Sequence, residues 1–271
     1  MDSAQLQARL VGIDGVEHAE VADVVASTNE RVAELVAGGR GIGAVAMAAQ
    51  QSAGRGRRGR FWHDVPGGNV ALSLGVALPT VSGGVVPLAT ALAVRDAFEA
   101  AGATTSIKWP NDVRLVTDGR PRKAAGILVE GHPGARPPAA VIGVGINVDW
   151  RARHPVEDSG NTWTSLAEAV DADVDREGLV LAVVADVVAW QRRLVEAPAQ
   201  VLDAYRRACA TVGHEVAVDL GTRPVPGGEA GADRLVGTAT GIDERGCLVV
   251  TTARGDVIVA AGDVVHLREL R

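Results

Sequence analysis

A seven-residue run, Gly54-Arg55-Gly56-Arg57-Arg58-Gly59-Arg60, holds four of the chain's 27 basic residues. Glycine accepts backbone conformations with positive φ, so neighbouring amide N–H groups can converge on one point. Arginine adds planar forks of donors matched to the oxygens of a carboxylate or a phosphate. The chemistry of the run is that of an anion-binding loop. Outside it stand 27 − 4 = 23 basic residues against 33 acidic ones, so the positive charge is concentrated here. A solvated arginine–glycine tract or a nucleic-acid patch has the same composition. Its place between two strand-like segments of an acidic chain favours a small anionic ligand. The spacing is not that of a G-x-x-x-x-G-K-[ST] phosphate loop, and it meets G-x-G-x-x-G only trivially.

Three further islands follow. In Lys108-Trp109-Pro110-Asn111-Asp112, Pro110 removes a donor and holds Trp109 extended, so a strand ends there with Lys, Asn and Asp at its edge. An ordinary turn over a packed Trp explains Pro110 and Asn111 equally, and Lys108 less well. Lys123-Ala124-Ala125-Gly126-Ile127-Leu128-Val129-Glu130 sets a Lys at the mouth of an apolar strand, where a solvated edge residue is also common. Gly143-Val144-Gly145-Ile146-Asn147 puts small residues in a strand, which suits close approach of a ligand and a tight sheet crossing equally well.

The elements that must position these islands alternate along the chain. A strand over 21–25 leads to Ser27-Thr28-Asn29-Glu30, whose S-x-x-E spacing is a capping box for a helix to about Ala37. Strands are predicted at 42–49, 69–78, 104–109, 123–130 and 139–148, with a long polar loop over 50–68 and a helix over about 85–100. They make a large mixed sheet. Helical spacing returns from Ser165, over 179–195 and 201–212. Beyond Gly213 come five short strands (215–220, 233–242, 247–252, 257–260, 264–267) joined by Gly, Pro and Asp turns, the pattern of a small antiparallel barrel. The expected domains are 1–212 and 213–271.

Composition narrows the class. Hydrophobic residues are 47%, charged residues 22% and aromatics 3%, which excludes a disordered or collagen-like chain. A net charge of −6 offers no global field for nucleic acid or an anionic membrane. Cys209 and Cys247 have no C-x-x-C partner and the six His lack metal-ligand spacing, so neither a disulfide framework nor structural zinc is expected. The start Met1-Asp2-Ser3 has no basic segment ahead of an apolar run, and cytoplasm is the default expectation. Residues 65–94 lack charge but are broken by Pro66, Pro79, Pro87 and five glycines, which argues against a membrane span.

Taken together, the islands resemble the biotin protein ligases, in the family's order. The resemblance runs over Ser27-Thr28-Asn29, then Gln51, Ala53 and the Gly54–Arg60 loop, Trp62, Pro66-Gly67-Gly68-Asn69, Lys108–Asp112, Lys123–Glu130 and Gly143–Asn147. Ala49, Ser52 and Phe61 depart from the usual pattern. The resemblance implies an α/β (α+β) fold: a mixed-sheet catalytic domain related to class II aminoacyl-tRNA synthetases, followed by an SH3-like barrel. It implies activation of biotin by ATP with Mg²⁺ to biotinyl-5′-AMP, then transfer to a lysine of a biotin carboxyl carrier domain. Arg55, Gly56, Arg57 and Lys123 would meet the biotin carboxylate and phosphates. Ser27, Thr28, Asn29 and Gln51 would meet the ureido ring, and Arg57, Arg60, Trp62, Asn69, Lys108, Asn111 and Asn147 the nucleotide. Asp112 is the candidate for orienting or deprotonating the incoming amine.

Many relatives carry an N-terminal DNA-binding domain; with 26 residues before Ser27, a monofunctional enzyme is the expectation. Monomer or weak dimer stays open. The rival readings are a lipoate or octanoate ligase on the same scaffold, an RNA-binding module using the Arg loop, and a silent carrier-docking protein.

Overall fold

A computed structural model of the chain describes residues 2–62, 64–79, 83–152, 163–219 and 234–266. Its first helix, α1 (Ser3–Val11), has no counterpart in the sequence reading. The Asp2 carboxylate caps it by accepting from the Ala4 and Gln5 amides, and Leu6 and Leu10 bury one stripe. Two apolar residues at i,i+4 are too few to register as a period. Strand β1 (His18–Val25) leads to α2 (Thr28–Ala37), which opens with one bond of the predicted capping box: the Ser27 hydroxyl accepts from the Glu30 amide.

Next come β2 (Ala44–Gln51), β3 (Asn69–Ala77), α3 (Val86–Ala100), β4 (Thr105–Lys108), β5 (Asp112–Thr117), β6 (Arg120–His132) and β7 (Ala139–Asn147). Strand β5 is the second addition to the sequence reading. Asn111-Asp112 signals a turn, yet Val113 and Leu115 alternate into the core directly after it. Strand β6 is longer than expected, so Lys123 lies inside a strand, opposite Arg114, rather than at its mouth. The strands form one sheet in the order β1-β2-β3-β7-β6-β5-β4. Only β1 and β2 pair in parallel; every other pair is antiparallel.

Strand alternation assigns the two faces. Val45, Met47, Ile142, Val144 and Ile146 join the large core under α1 and α3, together with α5 (Arg176–Glu196) and α6 (Pro198–Ala208), which follow a short α4 (Leu166–Val170). Ala46, Ala139 and Val141, on the opposite face, pack under Val32 and Val36 of α2. One short helix therefore covers that face, and most of it stays open.

The remaining strands are β8 (Glu215–Asp219), β9 (Arg234–Ile242), β10 (Leu248–Thr252), β11 (Gly255–Val259) and β12 (Asp263–His266). They form a five-stranded antiparallel SH3-like sheet in the order β11-β10-β9-β8-β12. The predicted strand ends at Leu220, Asp233 and Leu267 lie outside the described residues. Trp109 joins the two sheets: its amide donates to Thr211 Oγ1 at 3.0 Å and its indole N–H to the Gly246 carbonyl at 3.0 Å. Among the described residues, no helix is long and apolar enough to cross a membrane.

Candidate active site

Residues directly opposite each other in neighbouring strands share a face, so the register lays a row across the large sheet: Lys108, Asp112, Gly126, Gly145, Ala71, Ala48 and Ala22. The row is charged at one end and nearly free of side chain along the rest. Beside it runs Leu128, Gly143, Ser73 and Ala46. Both rows lie on the face that α2 covers only at Ala46 and its neighbours. Above them is a cavity of about 600 Å³, within the range that holds an organic ligand of moderate size.

The floor is glycine because something lies on it. A Cβ on Gly145 would stand 2.4 Å from Trp62 Cε2, and one on Gly126 would stand 2.8 Å from Trp62 Cζ3. The Trp62 indole thus rests on two bare strands. Its buried N–H has no hydrogen-bond partner among the described residues, a cost a ligand acceptor would relieve.

A polar corner forms where α2 begins. Gln51 Oε1 accepts from the Thr28 amide at 2.9 Å and lies 3.2 Å from Thr28 Oγ1. Ser73 Oγ lies 2.6 Å from Asn29 Oδ1 and 2.8 Å from Thr28 Oγ1, while Asn29 Nδ2 donates to Glu130 at 2.6 Å. Gly143 makes room for this network, since a Cβ there would fall 2.1 Å from Asn29 Oδ1. Ser27, Thr28 and Asn29 are all buried. The corner presents neutral donors and acceptors held in fixed positions.

The arginine loop closes the cavity from above. It is a miniature hairpin: the Gly56 amide donates to the Arg60 carbonyl at 2.6 Å and the Trp62 amide to the Gly54 carbonyl at 3.0 Å. Its tip passes through Arg58 at φ 59° and Gly59 at φ 75°. Each arginine has a different partner. Arg55 lies 3.4 Å from Glu130 and 3.7 Å from Glu30. Arg58 reaches Asp263 at 3.3 Å and Asp219 at 3.5 Å, and Arg60 reaches Asp263 at 2.7 Å. Arg57 instead donates to the neutral Asn111 Oδ1 at 3.0 Å, and among the described residues it makes no ion pair. Burial pulls its guanidinium below the usual arginine range, opposed by the charges of Asp263 and Asp112. Arg57 is the loop's under-neutralised cation.

A second cation stands opposite. Lys123 Nζ lies 2.6 Å from Asp112 Oδ1 and 5.8 Å from the Trp62 ring centroid. Asn111 is clamped to β6 by its side chain, which donates to the Ile127 carbonyl at 2.8 Å. Asn147 donates to the Thr164 carbonyl at 3.0 Å and the Lys123 carbonyl at 3.4 Å.

All the residues to which the resemblance gave a ligand or catalytic role line this one cavity except Asn69. Asn69 is fully buried behind the wall: its Nδ2 donates to Asn147 Oδ1 at 3.1 Å, and its Oδ1 accepts from the Val65 amide and the Trp150 indole. Arg60 lines the cavity with its head group on Asp263, and Asp112 lines it paired with Lys123. Sequence reasoning missed Ser73, Trp150, Trp163 and the 263–265 segment, all in or beside the wall. Only Trp150, one residue past Asp149 and close to the Gly143–Asn147 island, had a local signal. Asp263 lies 203 residues from Arg60 and had none.

Residues 21–147 match the biotin/lipoate A/B protein ligase family, and residues 213–267 match the biotin protein ligase C-terminal domain. A biotin–[acetyl-CoA-carboxylase] ligase of Mycobacterium tuberculosis is 34% identical over 99% of this chain and 96% of its own length. The bifunctional ligase/repressor BirA of Escherichia coli is 31% identical over 85% of this chain and 68% of its length. The solved structure of a biotin protein ligase from Aquifex aeolicus in complex with biotin and ATP superposes with a TM-score of 0.74 at 25% identity. It covers 92% of this chain and 98% of that one.

Proposed function

The chain belongs to the biotin protein ligase family, and from that premise we infer that it activates biotin with ATP and transfers the biotinyl group to a lysine of a biotin carboxyl carrier domain. It is a biotin–[acetyl-CoA-carboxylase] ligase. In this reading residues 1–212 are the catalytic domain and 213–271 the C-terminal domain. The observation that carries the site assignment is one cavity with a neutral hydrogen-bonding corner over β3 and β7 and cations over β5 and β6. Biotin is built the same way, with an uncharged ureido ring at one end and a carboxylate at the other.

Ser27, Thr28, Asn29 and Gln51 hold the ureido ring, for which fixed hydroxyl and amide groups are suited partners. The valeryl chain runs along Trp62. In the first step a carboxylate oxygen of biotin attacks the α-phosphorus of MgATP; the bond to the β-phosphate oxygen breaks and pyrophosphate leaves. Two unit anions about 4 Å apart repel by about 4 kcal/mol at an effective dielectric near 20, so the approach needs fixed cations. Arg57 and Lys123 supply them from opposite walls, with Arg55 and the Gly56 amide at the loop base. Lys108, Asn111 and Asn147 lie on the nucleotide side, while Arg60, expected there, is held in its ion pair with Asp263. Asn69 acts through Asn147.

In the second step the carrier lysine amine attacks the acyl carbon, the anhydride bond to AMP breaks, and the amine sheds a proton. Asp112, 2.6 Å from Lys123 Nζ, orients that cation and is the carboxylate we assign to receive the proton. Exchange of labelled pyrophosphate into ATP tests the reading. Biotin should drive the exchange and lipoate should not; exchange driven by lipoate alone would assign the sister activity.

A further inference from the structure

The arginine loop belongs to the large sheet by sequence, yet its tip is anchored on the small one. Arg58 Nη1 lies 3.2 Å from the Asp219 carbonyl and 3.3 Å from Asp263 Oδ2, and Arg60 Nη2 lies 2.7 Å from Asp263 Oδ1. One carboxylate, that of Asp263, therefore bridges two arginines. The geometry of the small sheet makes the anchorage reciprocal. Asp263 and Asp219 stand directly opposite each other in the β12/β8 pair, an arrangement that repels unless a cation lies between. Arg58 is that cation. It sits there with φ 59°, a left-handed conformation that a residue with a Cβ keeps only when its surroundings hold it. Asp263 also lines the active cavity, as do Val264 and Val265 after it.

We propose that Asp263, seconded by Asp219, is a positioning residue for the ligase reaction: it latches Arg58 and Arg60 so that the Gly54–Trp62 hairpin is held over the cavity and Arg57 is presented to the reacting anions. Arg58 and Arg60 then serve as the latch, leaving Arg57 and Arg55 to meet the ligand. The small sheet thereby controls how well the loop excludes water from the acyl-adenylate. What the loop encloses rests on the proposed function; the latch itself does not.

Hydrogen exchange of the ligand-free full chain tests the latch apart from that reading. In Asp263→Asn the Gly54–Trp62 amides should exchange about fivefold faster, the scale expected for a small exposed ion-pair network, with β8–β12 amides unchanged. Asp263→Glu should restore the wild-type rate. With biotin and ATP but no carrier, AMP release by Asp263→Asn should rise by a similar factor as the adenylate leaks to water. Should Asp263→Asn not fold, Arg58→Gln/Arg60→Gln removes the same pairs from the other end and should show the same acceleration. Unchanged loop exchange overturns the proposal. So does faster exchange throughout β8–β12, which would make Asp263 a tether of its own sheet. A faster loop with no AMP release in any variant would sink the biotin reading alone.

Discussion

Lys123 and Asp112 illustrate what one pair of side chains is asked to do. At 2.6 Å, each about a quarter exposed, they hold each other in place while both line the cavity beside Trp62. Lys123→Ala should cut biotin-dependent pyrophosphate exchange by roughly 10²–10³-fold, the usual cost of removing one fixed donor from a developing charge. The same change should shift unfolding by no more than about 1 kcal/mol, because the pair is partly solvated. Equal losses of fold and activity would make Lys123 a structural residue. Both residues were legible as types in the sequence. Their pairing was not, since Asp112 reads there as part of a turn and only the β5/β6 hairpin brings it across to Lys123.

Register decides the next scale. Gly126 and Gly145 meet across β6 and β7 and give Trp62 its seat, so Gly145→Ala should push the indole off the sheet. Titration calorimetry should then show biotin affinity down about tenfold or more, with a stability loss of about 1–3 kcal/mol from overpacking. Unaltered binding would place Trp62 outside the ligand's reach. On the same face, α2 is tied to β1 by Arg31, whose Nε and Nη2 donate to the two oxygens of Glu20 at 2.6 and 2.9 Å. Arg31 hydrogen bonding holds the Glu20 carboxyl at about 2, against 4.5 in the unfolded chain. A lowered folded value means the contribution is full above about pH 4.5 and fades as the pH falls toward 2. The denaturation midpoint of Glu20→Gln should therefore trail the wild type at about pH 6, and the gap should narrow steadily below about pH 4.5 and close only at about pH 2 or lower. Most strands and the capped α2 were readable from period and punctuation. Helix α1 was hidden by having only two core residues, and β5 by the turn signal at its first position.

At the scale of the whole molecule, one continuous core runs from Leu6 and Leu10 of α1 through α3 and α5 to Val216, Val218, Leu248 and Val264 of the small sheet. Trp109, buried at the junction, is hydrogen-bonded to both sides of it. Scanning calorimetry should accordingly show a single transition; two resolved transitions would mean the small sheet melts by itself. The amino-acid sequence determined the chemistry by itself, because residue type and local spacing dictate what a loop can bind: guanidinium forks between glycines, a capped helix start, small residues in a strand. The tertiary structure decided which of those groups are free to act. Strand register is a non-local property, so only pairing across β4–β7 and β3 could lay the glycine floor and join Lys123 to Asp112. Only the docking of β8 and β12 could claim Arg58 and Arg60 while Arg57 turns instead to the neutral Asn111.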